Sequence, residues 1–295
     1  MLALGQCHGL VKLVDAATSE DKWGVQAHAG SKRAAVAISP NGSCVASVGF
    51  SDRQWKLWDS SDGALNMTEP AHDGSGGCTC SGYEPVRDTC ALAPTTDMFV
   101  VEFSPCNNWI ATGSDTGVLW LWDVRTGREV WRLQASEKEL SSLSFSGDGK
   151  LLACGGISSM THIVVVETGE MSKSWNAGAG GHFCPTNSNW LATASGYHLS
   201  LWDVNTETAL WQIMSSHSND QLQNFERFSP DGLSIATVHQ NVYESDDSGD
   251  EDLEEPQHVR VVDAATGETK FALDHVVYAS IHDVAFSVLT LNPQP

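Results

Sequence analysis

Four side chains between residues 72 and 90 are of the types that bind zinc: His72, Cys78, Cys80 and Cys90. Thiolates and imidazole suit a tetrahedral ion, but the spacing matches none of the paired C-x2–4-C arrangements and the stretch is rich in glycine. A glycine-rich loop with incidental thiols is the expectation, with no metal and no cofactor. Asp123 lies in GVLWLWDVRTGREVW (117–131), where one acid among three tryptophans could serve as a general acid in an aromatic pocket. Gly113-Ser114-Asp115-Thr116-Gly117 reads as a turn, because a nucleophile elbow requires a strand-to-helix corner. Gly147-Asp148-Gly149-Lys150 lacks the spacing of a phosphate-binding loop, and H-E-x-x-H does not occur. The remaining concentration of chemistry is an acidic run, ESDDSGDEDLEEPQ (244–257).

Whether Asp123 is special depends on whether its surroundings recur, and they do. RQWKLWDSSDGALNM (53–67), HLSLWDVNTETALWQI (198–213), HVRVVDAATGETKFAL (258–273) and LVKLVDAATSEDKWGV (10–25) share its plan, and HIVVVETGEMSKSW (162–175) is a divergent copy. The acids closing these phrases are Asp15, Asp59, Asp123, Glu167, Asp203 and Asp263, with gaps of 44, 64, 44, 36 and 60 residues. A unit of about forty residues with two insertions of about twenty accounts for that spacing. Upstream halves such as AVAISPNGSCVASVG (35–49), VVEFSPCNNWIATGS (100–114) and NFERFSPDGLSIATV (224–238) give a strand, a tight turn and a returning strand. Each unit therefore holds four short strands, a to d, and an acid that recurs in every unit is a building feature before it is a catalyst.

These phrases resemble the WD repeat, and the likeness runs through nearly the whole chain. It implies an all-β fold: a single β-propeller over residues 1–295 with about six four-stranded blades, in which a rigid surface meets protein partners. In WD repeats a Trp of strand c, a Ser or Thr of strand b, a His before strand a and an Asp in the b–c turn form one hydrogen-bonded network. By position the second unit matches with Trp58, Ser47, His28 and Asp52, whereas the third has Thr116 at the turn-Asp position and the fifth has Trp202 and Thr193 without that Asp. Units lacking the network should lean on apolar packing and show irregular geometry. The chain starts inside a unit, and IHDVAFS (281–287) resembles a strand a, so N- and C-terminal strands are expected to share one blade and close the ring. Six is fewer than the seven blades commonest in this family, so a truncated or alternatively processed chain is the other reading.

The insertions individualise the protein. One, about 69–96, lies in a d–a connection, and the other, about 244–257, in a b–c connection; in an up-and-down blade both emerge on the same face. Asp246, Asp247, Asp250, Glu251, Asp252, Glu254 and Glu255 of the second, beside Glu244, form a like-charge block expected to be solvated. Its functional reading is a lure for basic segments of a partner, and Ser248-Gly-Asp-Glu resembles a site for acid-directed kinases. Trp122-Asp123-Val124-Arg125 resembles the WDxR motif of substrate receptors of cullin–RING ubiquitin ligases, in which the Arg helps dock the adaptor, so Arg125 is a second candidate contact. The plainer readings are a tolerated loop and a solvated arginine.

Formal charge is −21, from 37 acids against 16 bases, a field that repels phosphate backbones and disfavours nucleic acid as a partner. No run of eighteen apolar residues occurs and the first residues lack a secretory pattern, so no membrane span is expected. Five of the eight cysteines are scattered through strand-like stretches, as expected of reduced thiols in the cytoplasm or nucleus. The expectation is a non-catalytic interaction scaffold, a subunit or adaptor of a complex; a propeller enzyme is the remote alternative.

Overall fold

The computed structural model describes residues 1–32, 34–50, 52, 54–70, 98–178, 180–195, 198–214, 220–241 and 257–273. These form twenty-three strands and one short 3-10 turn, Cys7–Gly9. The strands fall into six antiparallel sheets, each a meander in chain order. Sheet 1 comprises β1 (Leu2–Gly5), β2 (Leu10–Val14) and β3 (Asp21–Gln26); sheet 2 comprises β4 (Ala34–Ile38), β5 (Cys44–Gly49), β6 (Gln54–Asp59) and β7 (Leu65–Pro70). Sheet 3 holds β8 (Met98–Phe103), β9 (Trp109–Ser114), β10 (Val118–Asp123) and β11 (Glu129–Gln134), and sheet 4 holds β12 (Leu140–Phe145), β13 (Leu151–Gly156), β14 (Thr161–Val165) and β15 (Met171–Trp175). Sheet 5 is β16 (His182–Phe183), β17 (Trp190–Ser195), β18 (His198–Asp203) and β19 (Thr208–Met214); sheet 6 is β20 (Asp220–Phe228), β21 (Ser234–Asn241), β22 (Gln257–Asp263) and β23 (Thr269–Leu273).

By compactness the chain divides into Met1–Leu143 with Val166–Glu170, and Ser144–Val165 with Met171–Pro295. In each unit the apolar side chains gather between consecutive sheets. Val11, Leu13 and Trp23 meet Val45 and Trp58, while Trp55 and Leu57 meet Ile110, Trp120 and Trp122. In the second unit Ile163 packs with Phe183 and Leu191, and Leu199 and Leu201 pack with Ile235 and Val262. Strands covered on both faces read as unbroken apolar runs, which is why β10 can be Val-Leu-Trp-Leu-Trp with all five side chains buried.

The c–d ladder carries a bulge at the same place in all six sheets, just before the residue that closes strand c. Four residues after the closing position the backbone is left-handed every time: Ser19, Gly63, Gly127, Gly169, Glu207 and Gly267 have φ between 57° and 76°. This register corrects the sequence reading of the fourth unit. Its strand c closes at Val165, paired opposite Leu151, and not at Glu167 two residues later. The expected irregularity of units without a complete network holds only in part. Sheets 4 and 5 keep continuous b–c ladders, whereas the a–b ladder shifts between Met98 and Val100 in sheet 3 and between Leu222 and Glu226 in sheet 6.

Candidate interaction surface

In sheet 2 the structure brings the four network residues into one hydrogen-bonded chain. The indole N–H of Trp58 donates to Ser47 Oγ at 2.9 Å, His28 Nε2 lies 2.8 Å from the same hydroxyl, and His28 Nδ1 lies 2.7 Å from Asp52 Oδ2. His28 and Ser47 are wholly buried. The chain runs from inside strand c to the b–c turn, so it pins that turn to the segment entering strand a.

The other sheets keep part of this device. Trp122 donates to Thr112 Oγ1 and Trp202 to Thr193 Oγ1, each at 2.9 Å. In the second pair Thr193 donates onward to the Ala177 carbonyl at 2.6 Å, and its hydroxyl is satisfied without a turn aspartate. In sheet 3 the turn contact is Ser114 Oγ to Thr116 Oγ1, 3.2 Å. Sheet 4 dispenses with polarity: Cys154 and Val164 take the hydroxyl and indole positions, both fully buried, and burial pushes the Cys154 thiol up to about 12.

The closing aspartates cap the c–d turns. Asp15, Asp59, Asp123, Asp203 and Asp263 each accept backbone N–H groups two or three residues ahead, and Asp123 Oδ1 takes Thr126 N at 2.7 Å and Thr126 Oγ1 at 2.8 Å. The Thr126 hydroxyl bond, with the Thr126 and Arg125 N–H groups and the Arg125 charge, holds the Asp123 carboxyl below the usual range. Asp123 is a turn cap shared with four other units, with its Oδ1 engaged by the Thr126 N–H and hydroxyl.

A second repeating device was not read from the sequence. In sheets 1 to 5, eight residues past the closing position, a strand-d side chain reaches the c–d turn of the following sheet. Trp23 donates to the Ser60 carbonyl at 3.1 Å, Trp131 to Val166 at 2.8 Å and Trp211 to Ala264 at 3.0 Å. Each indole lies on the left-handed glycine of that turn, Gly63, Gly169 or Gly267, where a Cβ would fall about 2.8 to 3.0 Å from the ring. Met67 covers Gly127 in the same way. In sheet 5 the left-handed residue is Glu207 instead of glycine, and the clamp changes chemistry with it. Lys173 donates to the Val204 and Asn205 carbonyls at 2.8 and 2.7 Å and pairs with Glu207 at 3.4 Å. The signal was present as Trp23, Trp131 and Trp211 at constant offset from Asp15, Asp123 and Asp203.

Several candidate positions lie outside the described residues: the acids from Asp246 to Glu255, the thiol and imidazole set His72, Cys78, Cys80 and Cys90, and IHDVAFS (281–287). The described strands delimit the insertions: β7 runs to Pro70 and β8 begins at Met98, while β21 ends at Asn241 and β22 begins at Gln257. Each insertion leaves its own sheet at the b–c end. Arg125 sits on the c–d turn of sheet 3, at the opposite end of that sheet from its b–c turn, and is exposed. Among the described residues no group of three or more His, Cys, Asp or Glu is placed to hold a metal, and no helix is long and apolar enough to cross a membrane.

A recurring meander with a Trp–hydroxyl–His–Asp chain and an Asp-capped c–d turn is shared with known proteins. The family described as WD domain, G-beta repeat matches residues 23–59, which span β3 to the end of β6, and the anaphase-promoting complex subunit 4 WD40 domain family matches residues 101–193. The chain thus carries WD-repeat sequence in these two stretches. It is 29% identical over 136 residues to the WD repeat-containing protein SL1-17 of Schistosoma mansoni, covering 46% of this chain and 38% of that protein. It is 34% identical over 55 residues, 19% of the chain, to the pre-rRNA-processing protein crb3/ipi3 of Schizosaccharomyces pombe, and 33% identical over 82 residues, 24% of the chain, to the ribosome biogenesis protein ERB1 of Scheffersomyces stipitis. The chain spans 12% and 10% of those two proteins' lengths. Six antiparallel sheets, five of them four-stranded, are what WD repeats build.

Proposed function

We propose that the chain is a non-catalytic interaction scaffold whose WD-repeat sheets act as the blades of one β-propeller, closed by N- and C-terminal strands, and whose b–c and d–a ends meet protein partners. One observation carries this reading: the network of sheet 2 and the repeated caps spend His28, Ser47, Asp52 and the closing aspartates on fixing turns, leaving the connections between rigid strands as the variable parts. Both insertions, 71–97 and 242–256, interrupt connections at the b–c ends of their sheets. The acidic one, with Asp246, Asp247, Asp250, Glu251, Asp252, Glu254 and Glu255, draws basic segments of a partner by charge complementarity. The likeness to proteins named for pre-rRNA processing and ribosome biogenesis supports a place in a nuclear complex over a cytoplasmic one.

The test is affinity purification from cells with the full chain and with residues 244–257 deleted, followed by binding of the captured partners at rising salt. Loss of partners on deletion, and affinity that falls with salt, support the reading. Unchanged, salt-insensitive capture removes the acidic segment from it. A second reading, docking of a ubiquitin-ligase adaptor through the WDxR motif, is favoured by the exposure of Arg125 beside Asp123. Co-purification of adaptor lost in Arg125→Ala supports it, and no association with the native chain disposes of it.

A further inference from the structure

Sheet 6 departs from its relatives at three positions that face one another. In sheets 2, 3 and 5 the strand-b hydroxyl of Ser47, Thr112 or Thr193 receives the indole N–H of a strand-c tryptophan. The register puts Thr237 at the hydroxyl position of sheet 6 and Val262 at the indole position. Val262 is wholly buried but has no N–H to give and far less bulk than an indole. On the other side of Thr237, directly opposite in the a–b ladder, stands Glu226. The same position holds Val36 beside Ser47 and Val101 beside Thr112. A carboxyl group has replaced an isopropyl group where a tryptophan has been lost.

Both polar groups are buried and incompletely bonded. Thr237 is 0% exposed and Glu226 is 2% exposed, and neither Thr237 Oγ1 nor Glu226 Oε2 has a hydrogen-bond partner among the described residues. Residues directly opposite in an antiparallel ladder project to the same face, with Cβ atoms roughly 4.5–5.5 Å apart. The two atoms therefore share one buried space without bonding each other. Burial pushes the Glu226 carboxyl up to about 8, against the opposing pull of the Arg227 charge and of N–H bonds from its own backbone and from Ala194. At neutral pH the group is a carboxylic acid with an O–H to donate, and the threonine hydroxyl can both donate and accept. Two charges lie near: Arg227, next along strand a, contacts His182, and Arg260, opposite Thr237 in the b–c ladder, has an interaction of its own.

We propose that Glu226 and Thr237 form a buried binding site for water, a small neutral guest that bridges Oε2 and Oγ1 in place of the tryptophan N–H. Water is the guest these groups select. It can accept from the acid, exchange a bond with the hydroxyl and bring no charge beside a protonated carboxyl, and polar enclosed sites of this kind are the ones water fills. The site makes sheet 6 a hydrated counterpart of the Trp-sealed sheets, at the sheet whose b–c strands flank the longest run of acids. It rests on the register of the sheet and not on the scaffold reading above.

A crystal structure of the native chain at a resolution that shows ordered water tests it directly, with a peak expected within hydrogen-bond distance of both atoms. No peak there, or a guanidinium of Arg260 in its place, overturns it. In solution the check is a double-mutant cycle of Thr237→Val and Glu226→Val, read by thermal melting. A shared guest makes the two effects strongly non-additive, with Thr237→Val alone lowering Tm. Additive effects, or a Tm raised by Thr237→Val alone, overturn it. Val262→Phe, which fills the space without a donor, is expected to expel the water, and a retained peak in that variant also counts against the site.

Discussion

Sheets 2 and 6 are built on the same meander but sealed by different means. In sheet 2 a single hydroxyl, Ser47 Oγ, joins the indole of Trp58 to a buried histidine and through it to the aspartate of a short b–c turn. In sheet 6 the corresponding hydroxyl has no indole to receive, a carboxyl stands where an apolar side chain does elsewhere, and the b–c strands enclose residues 242–256 in place of a short turn. The a–b ladder of sheet 6 also slips between Leu222 and Glu226, which sheet 2 does not show. The difference teaches where the repeat tolerates change. The network fixes a turn, so a sheet that replaces the turn with a long segment can lose the network while its b–c ladder stays in register.

The sharpest way to break this comparison is to remove the seal. Trp58→Ala removes a buried indole and one of the two partners of Ser47 Oγ, and should cost about 3–5 kcal/mol in denaturant unfolding. Val262→Ala, which deletes less and breaks no hydrogen bond, should cost roughly 1–2 kcal/mol by the same measure of lost methyl groups. Equal losses would mean that the indole does no more than fill space.

The next effect is one of pH. The folded Glu226 carboxyl is raised to about 8 by burial, above its ordinary value. The folded state therefore holds a proton that the unfolded chain has released. The stability this contributes is fully present at acid pH below the unfolded value and is lost as pH rises through about 8. Melting followed from pH 5 to pH 9 should show stability falling by on the order of a few kcal/mol, and Glu226→Gln should flatten the slope. An unchanged slope in Glu226→Gln would assign the pH dependence to other groups.

Smaller effects separate covered clamps from the uncovered one. Trp211 bonds the Ala264 carbonyl and lies on Gly267, so Trp211→Ala should cost about 2–4 kcal/mol. Phe271 occupies the same offset in sheet 6 but is 51% exposed, and Phe271→Ala should cost less than about 1 kcal/mol. A large loss at Phe271 would show that something covers it in solution. The smallest effect concerns thiols. Among the described cysteines, exposed Cys7 and Cys106 should react first with a thiol reagent, and Cys154, buried and with its pKa pushed up to about 12, should react only on unfolding. Mass spectrometry of partly labelled protein gives the order.

The strands and the capped c–d turns were legible because they depend on local chemistry. Alternation and apolar runs define strands, and an aspartate followed by Thr-Gly or Ser-Asp-Gly marks a turn in which a side chain bonds the backbone ahead. Glu167 misled for the same reason. In Val-Val-Val-Glu-Thr-Gly the acid falls two residues past the register position, and the true closing residue, Val165, carries no polar signal. Correcting it evens the neighbouring gaps, from Asp123 to Val165 and on to Asp203, to 42 and 38 residues. It also removes Trp175 from the clamp series and puts Lys173 there.

Residue order alone carried the all-β class and the six-fold recurrence, since each follows from short-range pattern or constant spacing, while the His28–Ser47–Asp52–Trp58 set came from the resemblance to WD repeats. The pairing of each clamp with the turn of the following sheet did not follow, nor did the burial of Glu226 against Thr237. Those contacts join residues tens of positions apart or on separate strands, and they exist only once the strands have found their register. A one-residue slip would turn every side chain to the opposite face. Local chemistry sets the units, and register and stacking then settle which side chains are sealed, which are capped and which are left to find a partner.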